Sequence, residues 1–407
     1  MDTKAKRAVI GAMIALFANM GINSTFSIFL PTFTGIWGEE NITAISLSAT
    51  LGCVMTFLCS TFLFAPLLKK IEPRVIFVIC GVLAVAYCLI CSNAVAVWMI
   101  IVAGLVGGVN LAFGTHAMGV AAITPYFGSY GAKLPTVIAL VLASASVGAT
   151  AFSFLGSLLS VMSWRTLYLV ILAIVLVCNL AAFFIIPKQE IPQTSASAAA
   201  QQDAPEVPGL KLGRAIRTPS FWLAFFGILF LAISYLGVST YMPSLLNANG
   251  LGASAPAMQG IMQGVGILFV FLGGTISEKL GVGGLILVTV IPLIVGALIY
   301  ALVFPHMAVV WLAVICSVLC VTGAMTSNIC PVITATLFGN KDLNSINPIY
   351  SGGAFWGGAA LATIVIPAVI KASGFSNGYL TAVGICVAGA ALLFLALAAN
   401  PTKKQAA

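Results

Sequence analysis

Charge is scarce in this chain. Only 6% of its 407 residues are Asp, Glu, Lys or Arg, where a soluble domain carries about 25%. So small a supply cannot clothe a water-facing surface, and a soluble globular protein is excluded. The acidic residues Asp2, Glu39, Glu40, Glu72, Glu190, Asp203, Glu206, Glu278 and Asp342 all fall at the ends of apolar runs or in loops. None lies within a run, so the chain lacks the buried carboxylate that proton-coupled carriers often hold. Charges inside a membrane are costly and are normally retained for function. No GxxxxGK[ST] loop is present, which argues against ATP drive. The two histidines, His116 and His306, fall on different segments. A membrane enzyme would show clustered titratable groups or metal ligands, so neither catalysis nor a cofactor or metal is expected.

What the chain does have is hydrocarbon. It is 61% hydrophobic, with a mean hydropathy of +1.15. Spanning a bilayer takes about 20 apolar residues per helix. Lipid offers no hydrogen bonds, so each crossing must be a helix or part of a closed barrel. Barrel strands alternate apolar and polar residues; these runs do not. The ten cysteines all lie in apolar segments and read as small buried side chains. The first run, Ala8 to about Leu30, is too long for the core of a cleavable signal.

Polar punctuation predicts twelve spans, at 8–30, 43–68, 75–92, 95–125, 134–160, 165–187, 219–246, 255–277, 283–303, 307–336, 346–371 and 377–399. Lys and Arg accumulate in cytoplasmic loops, which tests the count. With the N-terminus inside, the inner segments hold Lys4, Lys6, Arg7, Lys69, Lys70, Arg74, Lys133, Lys188, Lys211, Arg214, Arg217, Lys279, Lys341, Lys403 and Lys404. The outer ones hold only Arg165 and Lys371. A wrong count would scramble this parity. The net charge of +8 is therefore a sign of topology rather than of nucleic-acid binding. It predicts a multi-pass protein of the inner (plasma) membrane with both termini cytoplasmic.

Residues 188–218 are polar, small and flanked by proline, and read as a flexible cytoplasmic linker. They separate residues 1–187 from 219–407, six spans each. The halves look related. Tyr126-Phe-Gly-Ser-Tyr-Gly-Ala-Lys133 compares with Leu337-Phe-Gly-Asn-Lys-Asp-Leu-Asn344, and Ala65-Pro-Leu-Leu-Lys-Lys-Ile-Glu72 with Gly274-Thr-Ile-Ser-Glu-Lys-Leu-Gly281. Both pairs have nearly the same offset, which argues for a duplicated unit.

At these residues the sequence resembles the major facilitator superfamily. Gly274–Gly281 is similar to that family's loop signature G-x-x-x-D-R-x-G, with Glu278 at the acidic position and Lys279 at the basic one. The N-terminal copy departs, with Lys69 at the acidic position and Glu72 in place of the second glycine. Arg217-Thr-Pro-Ser-Phe-Trp222 and Leu337-Phe-Gly339 resemble the oxalate/formate antiporter and monocarboxylate branch. The resemblance implies an all-α membrane protein with twelve transmembrane helices in two pseudo-symmetric six-helix bundles. It implies a monomeric secondary transporter that moves a small organic solute by alternating access, with Lys69, Lys70, Arg74, Glu278 and Lys279 in gating loops. Such a carrier works in the lipid bilayer, with a coupled proton or a counter-solute as partner.

His116, within Asn110-Leu-Ala-Phe-Gly-Thr-His-Ala-Met-Gly119, is an ionisable group near the midplane. Three readings compete: a neutral imidazole bonded inside the bundle, a substrate contact, or a carrier of a coupled proton. Other polar residues stand at helical spacing: Asn19 and Asn23, Tyr235 and Tyr241 with Ser239, Gln259 and Gln263, Thr326 with Ser327 and Asn328, and Tyr350 with Trp356. Each taken alone fits helix packing. As a set with Asn110 and His116 they outline a neutral pocket rich in amides and aromatic rings. No Arg or Lys stands at mid-depth, so a dianion is a poor fit, since an unpaired carboxylate is costly to desolvate. A monocarboxylate or related metabolite is the expected solute, and export of hydrophobic, drug-like compounds the alternative.

Overall fold

The computed structural model describes residues 2–38, 41–68, 70–114, 116–126, 134–188, 209–339 and 341–401. Helix 1 is Thr3–Trp37 and helix 2 begins as Ile42–Leu58. Helix 2 continues through a π-helical turn, Cys59–Leu63, into Phe64–Leu68. Helix 3 is Pro73–Ser92. Helix 4 comprises Val97–Gly114 and His116–Ile123, helix 5 is Leu134–Leu155, and helix 6 is Trp164–Ile185. After a short helix, Leu212–Ala215, comes helix 7, Pro219–Ala248. Helices 8 and 9 share the run Ala255–Leu302. Helix 10 joins Val310–Cys320 to Thr326–Phe338 through a 3₁₀ stretch, Val321–Met325. Helix 11 starts as Leu343–Pro348 and a second π-helical turn, Ile349–Ala354. It then shares Phe355–Ala398 with helix 12.

Among the described residues, ten apolar runs are long enough to cross a membrane. Two of them, of 46 and 54 residues, would each reach beyond roughly 65 Å at ~1.5 Å per residue, about twice the hydrocarbon thickness. Each is broken inside by a glycine, Gly281 (φ 69°, ψ −176°) and Gly374 (φ 88°, ψ 169°). That backbone region is essentially closed to other residues, so each glycine reverses the chain and the ten runs make twelve helices. Helix 1 outruns its predicted span at both ends: residues 3–7, with Lys4, Lys6 and Arg7, continue it before the apolar stretch, and residues 31–37 extend it beyond Leu30, with Phe33 buried in the core.

The described chain ends lie at one face of the bundle. Arg7 donates to the carbonyls of Phe184 (3.2 Å) and Ile185 (3.1 Å) at the end of helix 6, beside the start of the linker. Ser220 donates to the carbonyl of Ala399 (2.6 Å) and Asn400 to that of Thr336 (3.2 Å). We call this the linker face.

Residues 189–208 of the predicted linker lie outside the described residues, but its end is pinned. Leu210 N–H donates to the Phe338 carbonyl (2.7 Å), and Leu212 N–H to the Asp342 carboxylate (2.8 Å), which also accepts from Ser345 (2.7 Å). Phe221, Phe338 and Tyr350 pack ring against ring beneath it, with centroids 5.3–6.5 Å apart. The two short motifs around residues 217–222 and 337–339 thus meet in one structural node.

One buried cluster joins residues of helices 7–12, and two others join helices 1–6, one of them taking in Val270 of helix 8. Helices 1 and 5 approach through Gly148, where an added Cβ would fall 2.7 and 2.8 Å from the backbone carbonyl carbon and Cα of Phe17. The ten cysteines are free, including Cys88 and Cys91, which stand three apart on helix 3.

Candidate functional site

Two helix pairs hold the halves together and frame any path between them. Helix 2 meets helix 11. Thr50 and Thr363 place their hydroxyl oxygens 2.9 Å apart. A Cβ on Gly357 would meet the Phe57 ring at 3.3 Å, and one on Gly353 would meet the Thr61 hydroxyl at 2.8 Å. Ser60 lies directly against Gly352. Both π-helical turns therefore fall at this contact, one from each half. Such turns are rare and gather at functional positions. Helix 5 meets helix 8, with Phe154 over Gly260 (3.2 Å) and Ala139 beside Gly274 (3.6 Å).

In the first half, two predicted site residues are already engaged. Asn19 is fully buried and donates to the carbonyl of Ala15 (2.9 Å) and to Oδ1 of Asn179 on helix 6 (3.0 Å). Asn110 donates to Oδ1 of Asn19 (3.4 Å) and to the carbonyl of Cys80 on helix 3 (3.0 Å). Asn179 donates to Val175 (2.9 Å). A chain of three amides thus ties helices 4, 1 and 6 together and reaches helix 3. Asn23, half-buried, donates to the Asn19 carbonyl (2.7 Å). His116 opens the last part of helix 4, and its side chain lies outside the described residues. Replacing Asn19 with leucine strips Asn179 Oδ1 of its donor and Asn110 of one of its two acceptors. We expect a loss of about 1 kcal/mol, typical of hydrogen bonds between membrane helices, read as a lower melting temperature in detergent. An unchanged melting temperature would contradict the amide chain.

In the second half the predicted residues divide. Asn328 donates to the Val270 carbonyl (2.7 Å) and links helix 10 to helix 8. Tyr350 is fully buried and donates to the Phe221 carbonyl (3.1 Å), which places it in the packing node at the linker face. Ser327 bonds back to Ala324 (2.8 Å), and Tyr241 lies 3.5 Å from the Thr363 carbonyl. Others remain uncommitted. Tyr235, Gln263 and Trp356 make no hydrogen bond among the described residues, and Oε1 of Gln259 is buried without a partner. Thr326 Oγ1 is likewise orphaned. Tyr235 packs on Gly323, and Gly266, one turn beyond Gln263, packs on Val321. Helices 7 and 8 therefore bring Tyr235 and the turn after Gln263 to the 3₁₀ stretch of helix 10, whereas Gln259 adjoins the helix 5 contact at Gly260 and Trp356 stands on helix 11.

Cations stay at the edges. Arg74 pairs with Glu72 (2.7 Å) and lies over the Phe183 ring (5.4 Å). Arg165 donates to the Ala94 carbonyl (3.1 Å) and covers the Trp164 ring (4.8 Å). Lys70, Glu278, Lys279 and Lys371 are exposed, and Lys69 lies outside the described residues. No described Lys or Arg stands among the uncommitted amides and phenols. The sequence reading missed Asn179, the Thr50–Thr363 contact and both π turns; nothing local marks them, since each is defined by a distant partner.

A lateral groove of about 470 Å³ also opens between helices 1, 5, 6 and 8, lined among others by Met13, Phe17, Leu140, Val147, Leu268 and Phe271. Ser144 in its wall turns its hydroxyl back to Val141 (2.6 Å), so the lining is hydrocarbon.

The family model described as Major Facilitator Superfamily matches residues 10–340. No curated protein matches the sequence. Among solved structures, a mutant of the nucleoside transporter NupG superposes with a TM-score of 0.66 at 12% identity, covering 98% of this chain and 100% of that one. At that identity the likeness bears on the fold.

Proposed function

The chain belongs to the major facilitator superfamily, and from that premise we propose that it carries a small organic solute bearing at most one negative charge, by alternating access. It is a multi-pass membrane transporter and not an enzyme. One observation carries the finer reading: Tyr235 and Gln263, neither hydrogen-bonded among the described residues, stand on helices 7 and 8 where those helices pack on the 3₁₀ stretch of helix 10, at Gly323 and, one turn beyond Gln263, at Val321, and no described cation joins them. Such a lining satisfies hydroxyl, amide or single carboxylate groups. It leaves a dianion unpaired, at a steep desolvation cost.

A monocarboxylate is the first class to test, in keeping with the resemblance of residues 217–222 and 337–339, and His116 supplies its polar contact from the first half. Neutral polar solutes form the second class. The fold neighbour is a nucleoside transporter, and a cation-free lining suits such a solute. The halves 1–187 and 219–407 rock about the pocket as one monomer, coupled to a proton or a counter-solute. Both termini face the cytoplasm of the inner membrane. Export of hydrophobic compounds is the second reading, favoured by the lateral groove.

A thermal-shift screen of the purified chain against monocarboxylates, nucleosides and hydrophobic drugs separates these. A ligand of the folded state present at 100 times its Kd stabilises by about 2.7 kcal/mol. We expect a small acid or nucleoside to give the shift and to be taken up by proteoliposomes. A response to hydrophobic drugs alone would replace this reading by the second. His116→Ala and His116→Gln are expected to lower that uptake. Full uptake by both, with unchanged pH dependence, would remove His116 from the pocket.

A further inference from the structure

Lys211, Arg214 and Arg217 stand at intervals of three along the segment that enters helix 7. Its backbone turns tightly, with Arg214 N–H donating to the Lys211 carbonyl (2.9 Å), Arg217 N–H to Arg214 (3.2 Å) and Thr218 N–H to Ala215 (2.9 Å). Steps of three in such turns bring side chains onto one flank. All three cations are exposed, while Leu210 and Ala215 on the inner side are buried in the core of the second half. None of the three makes a side-chain hydrogen bond or ion pair among the described residues. The nearby Asp342 carboxylate is occupied by Leu212 N–H and Ser345. The flank is also held in place, through Leu210 to Phe338 and Leu212 to Asp342.

The same segment carries its own membrane contact. Trp222 and Phe226, one turn apart on helix 7, are 47% and 45% exposed. Their rings lie 6.2 Å apart, and the Trp222 indole N–H donates to the Ile216 carbonyl (3.0 Å). That bond ties the first lipid-facing aromatic ring to the turn bearing the cations. A Trp in such a place settles at the level of the lipid headgroups, and a Phe one turn further along the helix faces the hydrocarbon below it.

We propose that Lys211, Arg214 and Arg217 form a binding site for the headgroup of an anionic phospholipid at the linker face, with Trp222 and Phe226 lying along its acyl chains. Charge complementarity names the headgroup, since a phosphodiester accepts the forked donors of two arginines. The adjoining exposed aromatic rings name a lipid rather than a soluble phosphate. The site is independent of the solute carried and of which compartment the linker face meets.

The test uses the full chain in nanodiscs of phosphatidylcholine with and without phosphatidylglycerol. We expect phosphatidylglycerol to raise the melting temperature of the wild type by several degrees. The variant Lys211→Gln/Arg214→Gln/Arg217→Gln loses that increment, and Lys4→Gln/Lys6→Gln keeps it. Retention of the full increment by the triple variant overturns the site. So does equal loss in both variants, which marks a general charge effect, or an equal increment from inorganic phosphate in pure phosphatidylcholine. Should the triple variant not fold, mass spectrometry of phosphatidylglycerol co-purifying with Arg217→Gln decides. Less bound lipid than wild type supports the site, and an equal amount refutes it.

Discussion

A Thr50→Cys/Thr363→Cys pair, once oxidised, is expected to bring transport to background, and reduction to restore it. The two hydroxyl oxygens stand 2.9 Å apart across the contact between helices 2 and 11. Sulfur atoms in their places need only a small adjustment to reach the S–S bond length of about 2 Å. The pair joins the two halves of the molecule. An alternating carrier must part its halves on one face and then on the other, and a covalent tie across this contact forbids one of those openings. The native cysteines are all free, so oxidised wild type and the two single-cysteine variants are direct controls. Full uptake after complete cross-linking would show that helices 2 and 11 stay together throughout the cycle, and would defeat the rocking mechanism.

Gly148→Leu is expected to yield no monodisperse protein. The carbonyl carbon and Cα of Phe17 would lie 2.7 and 2.8 Å from the new Cβ. These are backbone atoms and cannot rotate away, so helix 1 must move off helix 5. That motion opens the bond from Ser24 to the Ala149 carbonyl (3.2 Å) and the edge contact between Phe17 and Phe152 (5.8 Å). Ordinary overpacking costs about 1–3 kcal/mol, and a clash with backbone exceeds it within a total stability of roughly 5–15 kcal/mol. Gly148→Ala should already lower the melting temperature. Gly384→Leu serves as the comparison, because a Cβ there meets nothing within 4 Å. Equal yield and melting temperature for Gly148→Leu and Gly384→Leu would show that helices 1 and 5 are packed otherwise.

Helix positions were legible because hydrocarbon imposes one rule on every residue of a run, and that rule needs no partner. Where two helices adjoin with only a glycine between them, at Gly281 and Gly374, the loop charges and glycines still divided them. The pocket was harder to read. Asn19 and Asn23 share a face as their spacing predicts, yet the side chains that engage Asn19 belong to Asn110 (3.4 Å) and Asn179 (3.0 Å), 91 and 160 residues away. Tyr350 stands on helix 11 as expected, but its hydroxyl is held by the Phe221 carbonyl from helix 7. Periodicity tells which residues share a stripe. It does not tell which neighbouring helix that stripe meets, and polar side chains in a membrane are spent on those neighbours first. Gln259, Gln263 and Tyr235 stayed in the reckoning because no neighbour claims them.

The two π turns make chain length itself a constraint. Each accommodates one residue more than an α-helical turn would. Excising a residue from Cys59–Leu63 would restore α geometry and, because the lost bulge absorbs the roughly 100° of one residue, keep Phe64–Leu68 near its present register while removing the widened turn on which Ser60 stands. Ser60 would then no longer address Gly352. The same arithmetic applies to Ile349–Ala354. A single-residue deletion in either helix therefore misaligns the joint between the halves, even though every residue left behind is chemically unaltered.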